Sequence, residues 1–374
     1  MKISSLVLNK FRNYDNLKLT LNDDLTVLFG ENGQGKTNIV EAIYLCATGK
    51  SHRTSKESEL LKFGGETFDV FLCLEKENYP REIEIKWNSE KKKQIRINEI
   101  PIKKMGELIG TLNAVMFAPE DMSIVKEGPA NRRRFIDIAF SQIKPSYFYN
   151  LQQYSKILRN RNIILKEIHS TGKKNDTLEV WNQSLIEVGS KIVQERIKFV
   201  EQLSVLVCKW HSALSDEKER LIMNYRGTFK IDVKDDFETI KKNFMAKLEE
   251  NYRSEVSAQT TVTGPHRDDF LLLLDGNELR HFGSQGQQRT AVLALKLAEV
   301  DVMINETGET PILLLDDVLS ELDSKRQTML LNSIKGIQTI ITCTNKEAIT
   351  ANKEKSSFFE VKNGKISSFY GIIK

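Results

Sequence analysis

A short glycine-rich segment between an apolar run and a helical pattern restricts the fold of this chain more than any other feature. Residues 30 to 37 read GENGQGKT, and the five residues before them read LTVLF. After the loop, Ile39, Val40, Ile43 and Ala47 recur at helical spacing. This succession of strand, loop and helix fits the pattern G-x-x-x-x-G-K-[ST], in which backbone N–H groups surround phosphate oxygens at a helix N-terminus. The segment therefore predicts a phosphate-binding loop in an α/β domain.

The polar residues of this loop have defined roles in the pattern. Lys36 would reach the β and γ phosphates of a nucleotide and take part in catalysis, and the hydroxyl of Thr37 would hold Mg²⁺. ATP and Mg²⁺ are therefore the expected cofactors. The predicted nucleotide-binding residues of the loop are Gly30, Glu31, Asn32, Gly33, Gln34, Gly35, Lys36 and Thr37.

A second motif, PILLLDD at positions 311 to 317, reads as a buried strand that ends in two carboxylates. In a phosphate-loop ATPase such a strand places its first acid, Asp316, beside the magnesium ion. Asp317 would then orient or deprotonate the attacking water. Alone, the two acids would equally well cap a loop. Together with the glycine loop they predict the catalytic end of an ATPase.

A third motif, FGSQGQQRT at positions 282 to 290, places Ser284 and Gly286 before a run of helical spacing. A Ser-x-Gly turn at a helix N-terminus is a small anion-binding site. In isolation a simply capped helix is the favoured interpretation. The position of the turn, before the acidic strand and far from the glycine loop, indicates a role with the other two motifs.

The order of strand and helix patterns along the 374 residues indicates an interrupted α/β domain. Strand-like spacing dominates the first 125 residues and returns after residue 254. Between them, apolar residues from Trp181 to Trp210 step by three or four, apart from one missed turn at Glu195 and Arg196. The predicted division is an α/β head of residues 1–125 and 255–374, with a mainly helical domain, residues 126–254, inserted.

The net charge of +4, from 55 basic and 51 acidic residues, is unevenly distributed. From Lys126 to Lys174 there are 11 lysines and arginines against 3 acidic residues, a local charge of +8. These cations are suited to nucleic-acid phosphates, whereas for the interleaved aromatic residues, such as Phe135 and Tyr154, core positions are favoured over base stacking. Three adjacent arginines, 132 to 134, point in three directions from a helix and cannot all serve one salt bridge.

The sequence contains no apolar stretch near the roughly 18 residues of a membrane span, and its first residues alternate instead of forming a signal-peptide core. We therefore expect a cytoplasmic protein. The four cysteines, Cys46, Cys73, Cys208 and Cys343, are far apart and lack a neighbouring histidine. They are expected to be reduced core residues rather than metal ligands or disulfides.

The three motifs, in this order and around an inserted helical segment, resemble the ATP-binding-cassette heads of the chromosome-maintenance ATPases, the group of SMC proteins and Rad50-like repair proteins. The expected fold class is thus an α/β ATP-binding-cassette head of mixed sheets and helices, with an inserted helical domain. The segments that carry the resemblance are LNKFRNY (8–14), GENGQGKTNIVEAIY (30–44), KSHRT (50–54), FAPED (117–121), RRRFID (132–137), GPHRDD (264–269), SQGQQRT (284–290) and LLLDDVLSELD (313–323).

The resemblance implies a mechanism in which two heads pair head to tail. The signature residues of one copy would contact the nucleotide held by the other, so that ATP becomes part of the dimer interface. Hydrolysis would remove the oxygens that hold this interface closed. Asp323, in the SELD turn, would lie near the same interface. The implied signature residues are Ser284, Gln285, Gly286 and Gln287.

The chain departs from the group's pattern at two catalytic positions. SMC-type heads usually carry glutamate after the magnesium aspartate, whereas this chain has Asp317, whose side chain is one methylene shorter. We therefore expect slow hydrolysis that acts as a switch. The histidine that usually follows the next strand is also absent, and the polar residues there are Thr342, Thr344 and Asn345.

The resemblance also implies roles for other residues near the nucleotide, and for these the sequence leaves alternatives open. The usual glutamine of the magnesium-contacting loop is absent, and FAPED offers either Glu120 or Asp121. Arg12 and Asn13 are expected to approach the nucleotide, and an exposed strand end is the alternative. Arg53, in KSHRT, corresponds to an arginine loop directed toward DNA or ATP.

By the same resemblance, the protein is expected to be an ATP-dependent DNA-binding clamp in DNA repair, recombination and replication restart. It would recognise gapped DNA or junctions of single strand and duplex, and would assist recombinase loading with RecR and RecO partners. GPHRDD receives no chemical role. The candidate DNA contacts are Arg53, Arg132, Arg133, Arg134, Arg159 and Arg161.

Two other classes of ATPase are weighed against this hypothesis. A nuclease-linked ATPase needs clustered Asp, Glu or His outside the ATP motifs, and the sequence has no such cluster. A transporter ATPase usually has a signature closer to LSGGQ and a shorter, less basic helical insert. The insert is in turn too short for the coiled-coil arms of SMC proteins or Rad50.

Overall fold

The computed structural model describes residues 1–21, 24–77, 79–90, 92–344 and 356–369, so that Asn345 lies outside the described residues. The chain forms two compact units. The head unit comprises Met1–Asp121 and Glu299–Lys374, and the inserted unit comprises Met122–Ala298. The chain therefore leaves the head unit once and returns to it, as the patterning predicts.

The strands of the described residues are β1 (Lys2–Asn9), β2 (Asn16–Thr20), β3 (Leu25–Phe29), β4 (Thr67–Lys76), β5 (Tyr79–Asn88), β6 (Lys92–Ile97), β7 (Ile100–Pro101), β8 (Ala114–Phe117), β9 (Leu221–Arg226), β10 (Asp269–Leu274), β11 (Asn277–Glu278), β12 (Ile312–Asp316), β13 (Thr339–Cys343), β14 (Ser356–Lys362) and β15 (Lys365–Phe369). The α-helices are α1 (Lys36–Thr48), α2 (Ser123–Lys126), α3 (Pro129–Ile143), α4 (Pro145–Thr171), α5 (Thr177–Leu214), α6 (Phe237–Ala258), α7 (Leu279–Phe282), α8 (Gln285–Thr307) and α9 (Ser324–Ser333).

The head unit contains two six-stranded sheets in its described residues. One is antiparallel, in the order β2-β1-β4-β5-β6-β7, and the alternating burial of β1 and β4 matches a sheet with one face on the core. The other has the order β15-β14-β3-β13-β12-β8, with parallel pairing from β14 to β8. Its strands β12 and β13 are buried along their whole length, as expected for central parallel strands.

This parallel sheet brings the sequence motifs to one edge. The glycine loop follows β3, Asp316 ends β12 and Asp317 follows it, and β13 lies between these two strands. Since neighbouring parallel strands end at the same edge of a sheet, the loop and the acids meet there, with the end of β13 between them.

The inserted unit consists mainly of helices around α5, together with the sheet β11-β10-β9. The predicted return to the head at residue 255 differs from the structure, in which the inserted unit continues to Ala298. The reason is strand pairing. β10 pairs antiparallel with β9, from Asp269 opposite Arg226 to Leu274 opposite Leu221, so the apolar run FLLLL completes the sheet of the inserted unit.

The burial of the cysteine and aromatic residues tests the expectation of core positions. Cys46 and Cys343 are buried, as expected, whereas Cys73 and Cys208 are only half-buried. In the described residues, no helix combines the length and the apolar character needed to cross a membrane. The aromatic residues of the basic segment are mostly core residues, which confirms the favoured interpretation for Phe135, Phe140, Tyr147 and Tyr154.

Candidate functional site

The glycine loop packs so closely that two of its positions require glycine. Gly30 and Gly35 have φ angles of 144° and 115°, in the region that L side chains avoid. A Cβ atom on Gly35 would lie 2.5 Å from the Asn13 amide and 2.9 Å from the Tyr14 hydroxyl. One on Gly30 would lie 2.4 Å from the carbonyl oxygen of Val361. The loop tip, Glu31 to Gly33, is exposed.

Lys36 is held over the loop by the loop's own backbone. Its Nζ donates to the carbonyl oxygens of Gly30 (2.6 Å) and Glu31 (2.8 Å). Burial lowers the pKa of Lys36, while the neighbouring carboxylates of Asp317 and Asp316 counteract that effect. The ammonium group thus stands at the position from which the motif requires it to reach a phosphate.

At the end of β12, one carboxylate oxygen joins the two motifs. The hydroxyl of Thr37 donates to Asp316 Oδ1 at 2.9 Å, and the hydroxyl of Thr342 donates to the same oxygen at 2.7 Å. Thr342 also accepts a hydrogen bond from the backbone N–H of Asp317 at 2.9 Å. Asp317 adopts a left-handed conformation, with φ of 52°. The predicted magnesium ligands therefore lie in direct contact, and Asp317 follows them immediately.

The electrostatics of this edge suit a divalent cation. Burial raises the pKa of Asp316, and the negative charges of Glu120 and Asp317 raise it further, against the hydrogen bonds from the two threonines. A hard cation bound by oxygen ligands would offset this excess of negative charge. The residues present therefore fit Mg²⁺.

Of the two acids in FAPED, Glu120 matches the magnesium loop better. Asp121 uses its carboxylate locally, accepting the backbone N–H of Ala118 at 2.8 Å. Glu120 is exposed, and its charge acts on Asp316. We therefore favour Glu120 over Asp121 as the acid of this loop.

Arg12 serves a buried carboxylate beside the loop. Its Nε and Nη2 donate to Glu41 at 2.9 and 2.6 Å, and its Nη1 donates to the carbonyl oxygen of Glu59 at 2.7 Å. Glu41 is fully buried in α1. Burial alone would raise the pKa of Glu41, but hydrogen bonds from Arg12 and Ser51 outweigh it and the pKa is lowered. The arginine expected at the nucleotide is thus committed to an ion pair behind the loop.

Asn13 and Arg53 belong to the same cluster. The Asn13 amide donates to the carbonyl oxygen of Gln34 at 2.8 Å, and its oxygen accepts from Asn38 at 2.8 Å. Arg53 donates to Asn38 Oδ1 at 3.1 Å and lies 3.6 Å from Glu41 Oε2, with 39% of its side chain exposed. Asn13 therefore supports the loop backbone, and Arg53 presents a partly exposed charge beside it.

The signature turn is a reciprocal helix cap. The backbone N–H of Ser284 donates to Gln287 Oε1 at 2.7 Å, and the N–H of Gln287 donates to Ser284 Oγ at 3.3 Å. The amide of Gln287 donates in turn to Glu219 Oε1 at 2.8 Å. Ser284, Gln285 and Gly286 are exposed. The capped-helix interpretation and an exposed anion-binding turn are therefore compatible in one geometry.

Asp323 begins α9 as its N-cap. Its Oδ1 accepts the backbone N–H of Arg326 at 2.9 Å, and its other oxygen pairs with the Arg326 guanidinium. These bonds lower the pKa of Asp323. The carboxylate thus has a structural role within its own copy of the head unit.

The chain matches a family model described as the RecF/RecN/SMC N terminal domain over residues 2–367. It is 48% identical, over 373 residues, to the DNA replication and repair protein RecF of Ruminiclostridium cellulolyticum, covering 98% of this chain and 100% of that protein. The chain belongs to the RecF family. The RecF protein of Acetivibrio thermocellus is likewise 48% identical over 347 residues, with 93% of this chain and 94% of that protein covered.

Solved structures agree with the RecF assignment and confirm the predicted fold class. A structure of the recombination mediator protein RecF with ATP, in the RecFOR pathway, has a TM-score of 0.92 and 36% identity, covering 98% of this chain and 97% of that one. The Smc head domain of Pyrococcus furiosus has a TM-score of 0.56 at 17% identity and covers 98% of this chain and 96% of that one. The second likeness concerns the fold alone.

Two of the six arginines that were predicted from the sequence to contact DNA are core residues. Arg132 is buried, and its Nε and Nη2 donate to the two oxygens of Asp269 at 2.7 and 2.9 Å. Arg161 is 1% exposed and donates to Glu255 (2.6 Å), Thr261 (2.7 Å) and Asn182 (2.8 Å). The prediction of DNA contact is wrong for these two in this conformation, because counting charge along a segment does not separate buried from exposed cations.

The other candidates remain available. Arg133 is half-buried and donates to the carbonyl oxygen of Asp268 at 2.7 Å, whereas Arg134 and Arg159 are exposed. Sequence reasoning missed Glu41 and Glu219, which hold the loop and the signature turn. A charged residue inside the apolar helix after the loop is a signal that would have indicated Glu41; nothing near Glu219 in the sequence indicates its contact with Gln287.

Proposed function

We propose that this chain is an ATP-dependent DNA-binding clamp of DNA repair, recombination and replication. The observation that carries the proposal is the meeting of Lys36, Thr37 and Asp316 at one edge of the parallel sheet. The names of its relatives, DNA replication and repair proteins, agree with this role. The loop residues Gly30 to Thr37 would hold ATP.

Each side chain of the site has a separate task. Lys36 would neutralise the β and γ phosphates, and Thr37 and Asp316 would hold Mg²⁺, which supplies charge stabilisation at the transferred phosphoryl group. Thr342 fixes the Asp316 carboxylate and the Asp317 backbone. Asp317 would orient or deprotonate the attacking water. Because Asp317 is shorter than glutamate, hydrolysis would be slow and act as a switch.

The signature turn would complete the site of a second copy. The Ser284 hydroxyl only accepts in the cap and keeps its proton for donation, and Ser284, Gln285 and Gly286 are exposed at the start of α8, which suits the γ phosphate of a nucleotide bound elsewhere. Ser284 and Gly286 would then act in trans, with Asp323 near the interface. ATP binding would stabilise the dimer, because a ligand shifts an equilibrium toward the state that binds it better.

The clamp would hold DNA through cations that are exposed or, for Arg133, half-buried. Arg53, Arg133, Arg134 and Arg159 are the candidates for phosphate contact. Gapped DNA and junctions of single strand and duplex are the proposed substrates, and RecR and RecO the proposed partners, in agreement with the RecFOR pathway named for a solved relative.

DNA binding with and without ATP tests this function. We expect ATP, but not ADP, to tighten binding to gapped DNA more than to single strand or duplex, with a strong salt dependence. Replacing Arg133 and Arg134 by glutamine should lower the salt slope by about one for each lost phosphate contact. An unchanged slope would move the DNA face elsewhere, and nuclease cleavage or indifference to DNA would favour the two other ATPase classes.

A further inference from the structure

A pocket of about 430 Å³ lies within the inserted unit and has no part in the nucleotide chemistry described above. It is formed by α3, α4 and α5 together with the GPHRDD segment, and no residue of the glycine loop lines it. Its size is within the range of pockets that take small molecules. The apolar part of its lining is Ala130, Ile138, Leu151, Leu158, Ile192 and Pro265.

The charged part of the lining is positive. Three arginines face one aspartate, which leaves a net charge of +2. Arg196 and Asp137 cancel each other in a bidentate pair at 2.8 and 3.0 Å. The excess charge therefore belongs to Arg133 and Arg134.

In the described residues, neither of these two arginines has a direct ion-pair partner. The only side-chain hydrogen bond of Arg133 in the described residues goes to a neutral carbonyl oxygen, that of Asp268, at 2.7 Å. Burial, with a smaller effect of the neighbouring Arg196, lowers the pKa of Arg133 against the opposing effect of the Asp269, Asp137 and Asp268 carboxylates, so its guanidinium is partly desolvated. Arg134 is exposed and forms no ion pair within the part of the chain that the structure describes. An anion in the pocket would give both guanidinium groups a charged partner.

His266 contributes polarity to the pocket but no charge. Its Nε2 lies 3.0 Å from the carbonyl oxygen of Thr261 and must donate to it, so Nδ1 accepts from the Tyr154 hydroxyl at 2.8 Å. Burial lowers the pKa of His266 to about 4. Gly264 allows this contact, because a Cβ atom there would lie 2.5 Å from the Tyr154 oxygen. GPHRDD thus shapes one wall.

We propose that this pocket binds a nucleotide phosphate, with Arg133 and Arg134 at the phosphate and the apolar lining against the attached sugar and base. Guanidinium groups match phosphate oxygens in geometry as well as in charge. An apolar wall beside them suits a phosphate ester better than a free inorganic ion. Two sources share this chemistry, a DNA strand and a free mononucleotide, and only the first rests on the proposed function.

The test uses the full chain with Lys36→Met, so that the glycine loop does not bind the probe. Calorimetric titrations with dTMP, inorganic phosphate and a (dT)15 strand are compared. We expect dTMP to bind more tightly than phosphate, and Arg134→Gln to weaken dTMP binding about tenfold or more. Arg253→Gln removes an equally exposed arginine of α6 outside the pocket and should leave dTMP binding unchanged.

The outcomes distinguish a DNA strand from a free mononucleotide as the source of the phosphate, and they distinguish failure of the pocket proposal from failure of the proposed clamp function. Loss of both dTMP and (dT)15 affinity in Arg134→Gln supports a DNA strand as the source, and loss of dTMP affinity alone supports a free nucleotide. Absence of dTMP binding, equal binding of dTMP and phosphate, or equal losses in both arginine variants would overturn the pocket proposal. Because Lys36→Met is used throughout, failure of the ATP-dependent clamp leaves this result unaffected.

Discussion

The Thr342 hydroxyl forms hydrogen bonds with both Asp316, at the end of β12, and Asp317, which follows it. It donates to Asp316 and accepts from the backbone of Asp317, which a hydroxyl does simultaneously because it has one proton and two lone pairs. The strand register explains this, since Thr342 lies opposite Asp316 in the β12 and β13 pair. The threonine therefore supports Asp317, the proposed catalytic residue, at the end of the strand after which the family resemblance led us to expect a histidine.

The two catalytic assignments are separable by substitution. Lys36→Met should weaken ATP binding by about a hundredfold or more, because the charged contacts to the phosphates are lost. Asp317→Asn should bind ATP normally but hydrolyse it about a hundredfold more slowly, the usual loss for a general base. Binding is measured by titration and hydrolysis by phosphate release. Unchanged turnover in Asp317→Asn would move the base to another residue.

The Arg12 and Glu41 pair predicts a pH-dependent stability. Arg12→Gln would remove the bidentate partner of the buried Glu41 and leave only Ser51 and the more distant Arg53, at a cost of about 3 kcal/mol in the free energy of unfolding near pH 7. In the unsubstituted protein the pKa of Glu41 is lowered, so the pair stabilises the fold above the ordinary glutamate pKa and the contribution is lost as the pH falls through the lowered value.

In Arg12→Gln, burial would instead raise the pKa of Glu41, so acid would relieve the penalty. The difference between the two proteins should therefore shrink as the pH is lowered from 7 toward about 4.5. Urea unfolding at several pH values measures it. Arg96→Gln, which breaks the more exposed pair with Glu84, is the control and should cost less than about 1 kcal/mol. A constant difference across this range would argue against a buried charge.

The signature turn depends on an element that the sequence does not connect with it. Glu219 lies just before β9, yet its carboxylate accepts from Gln287, which in turn accepts from the backbone of Ser284. The Gln287 side chain therefore links the backbone of the turn to the Glu219 carboxylate. Its geometry belongs to the inserted unit, because all three residues lie there.

Removal of Glu219 should loosen this turn without touching the glycine loop. We expect Glu219→Ala to weaken ATP-dependent dimerisation about tenfold, the effect of losing one charge-assisted hydrogen bond, while ATP affinity of the monomer is unchanged. Glu217→Ala, an exposed acid two residues earlier, should behave like the unsubstituted protein. Equal dimerisation of both variants would make the Glu219 contact incidental.

Helices and strands were predictable where apolar spacing is regular, and the exceptions have a common cause. The missed turn of α5 contains Arg196, which can be buried because Asp137 of α3 and the hydroxyl oxygen of Tyr147 of α4 accept its hydrogen bonds. Arg132 is buried for the same reason, by Asp269 of β10. When the partner of a charged residue is distant in the chain, the local sequence gives no sign of the ion pair, and the residue is predicted to be exposed. The same limit hid the pairing of β9 with β10, and hence the end of the inserted unit.

At the scale of the molecule, the nucleotide site and the signature turn lie in different units of the chain. The head unit carries the loop and the acids, and the inserted unit carries Ser284. The family resemblance assigns the two halves to different copies, so that ATP would connect head units to signature turns across a dimer. Motif order was readable from the sequence, whereas pairing between copies rests on the resemblance.

Sedimentation velocity with ATP and with ADP tests this central claim most directly. The unsubstituted chain should form dimers with ATP and remain monomeric with ADP, and Ser284→Arg should remain monomeric with both, because the arginine occupies the place of the γ phosphate contact. Ser254→Arg, on the exposed surface of α6, is the matched control and should dimerise with ATP. Equal dimerisation with ATP and ADP, or ATP-dependent dimers of Ser284→Arg, would contradict a signature that acts in trans.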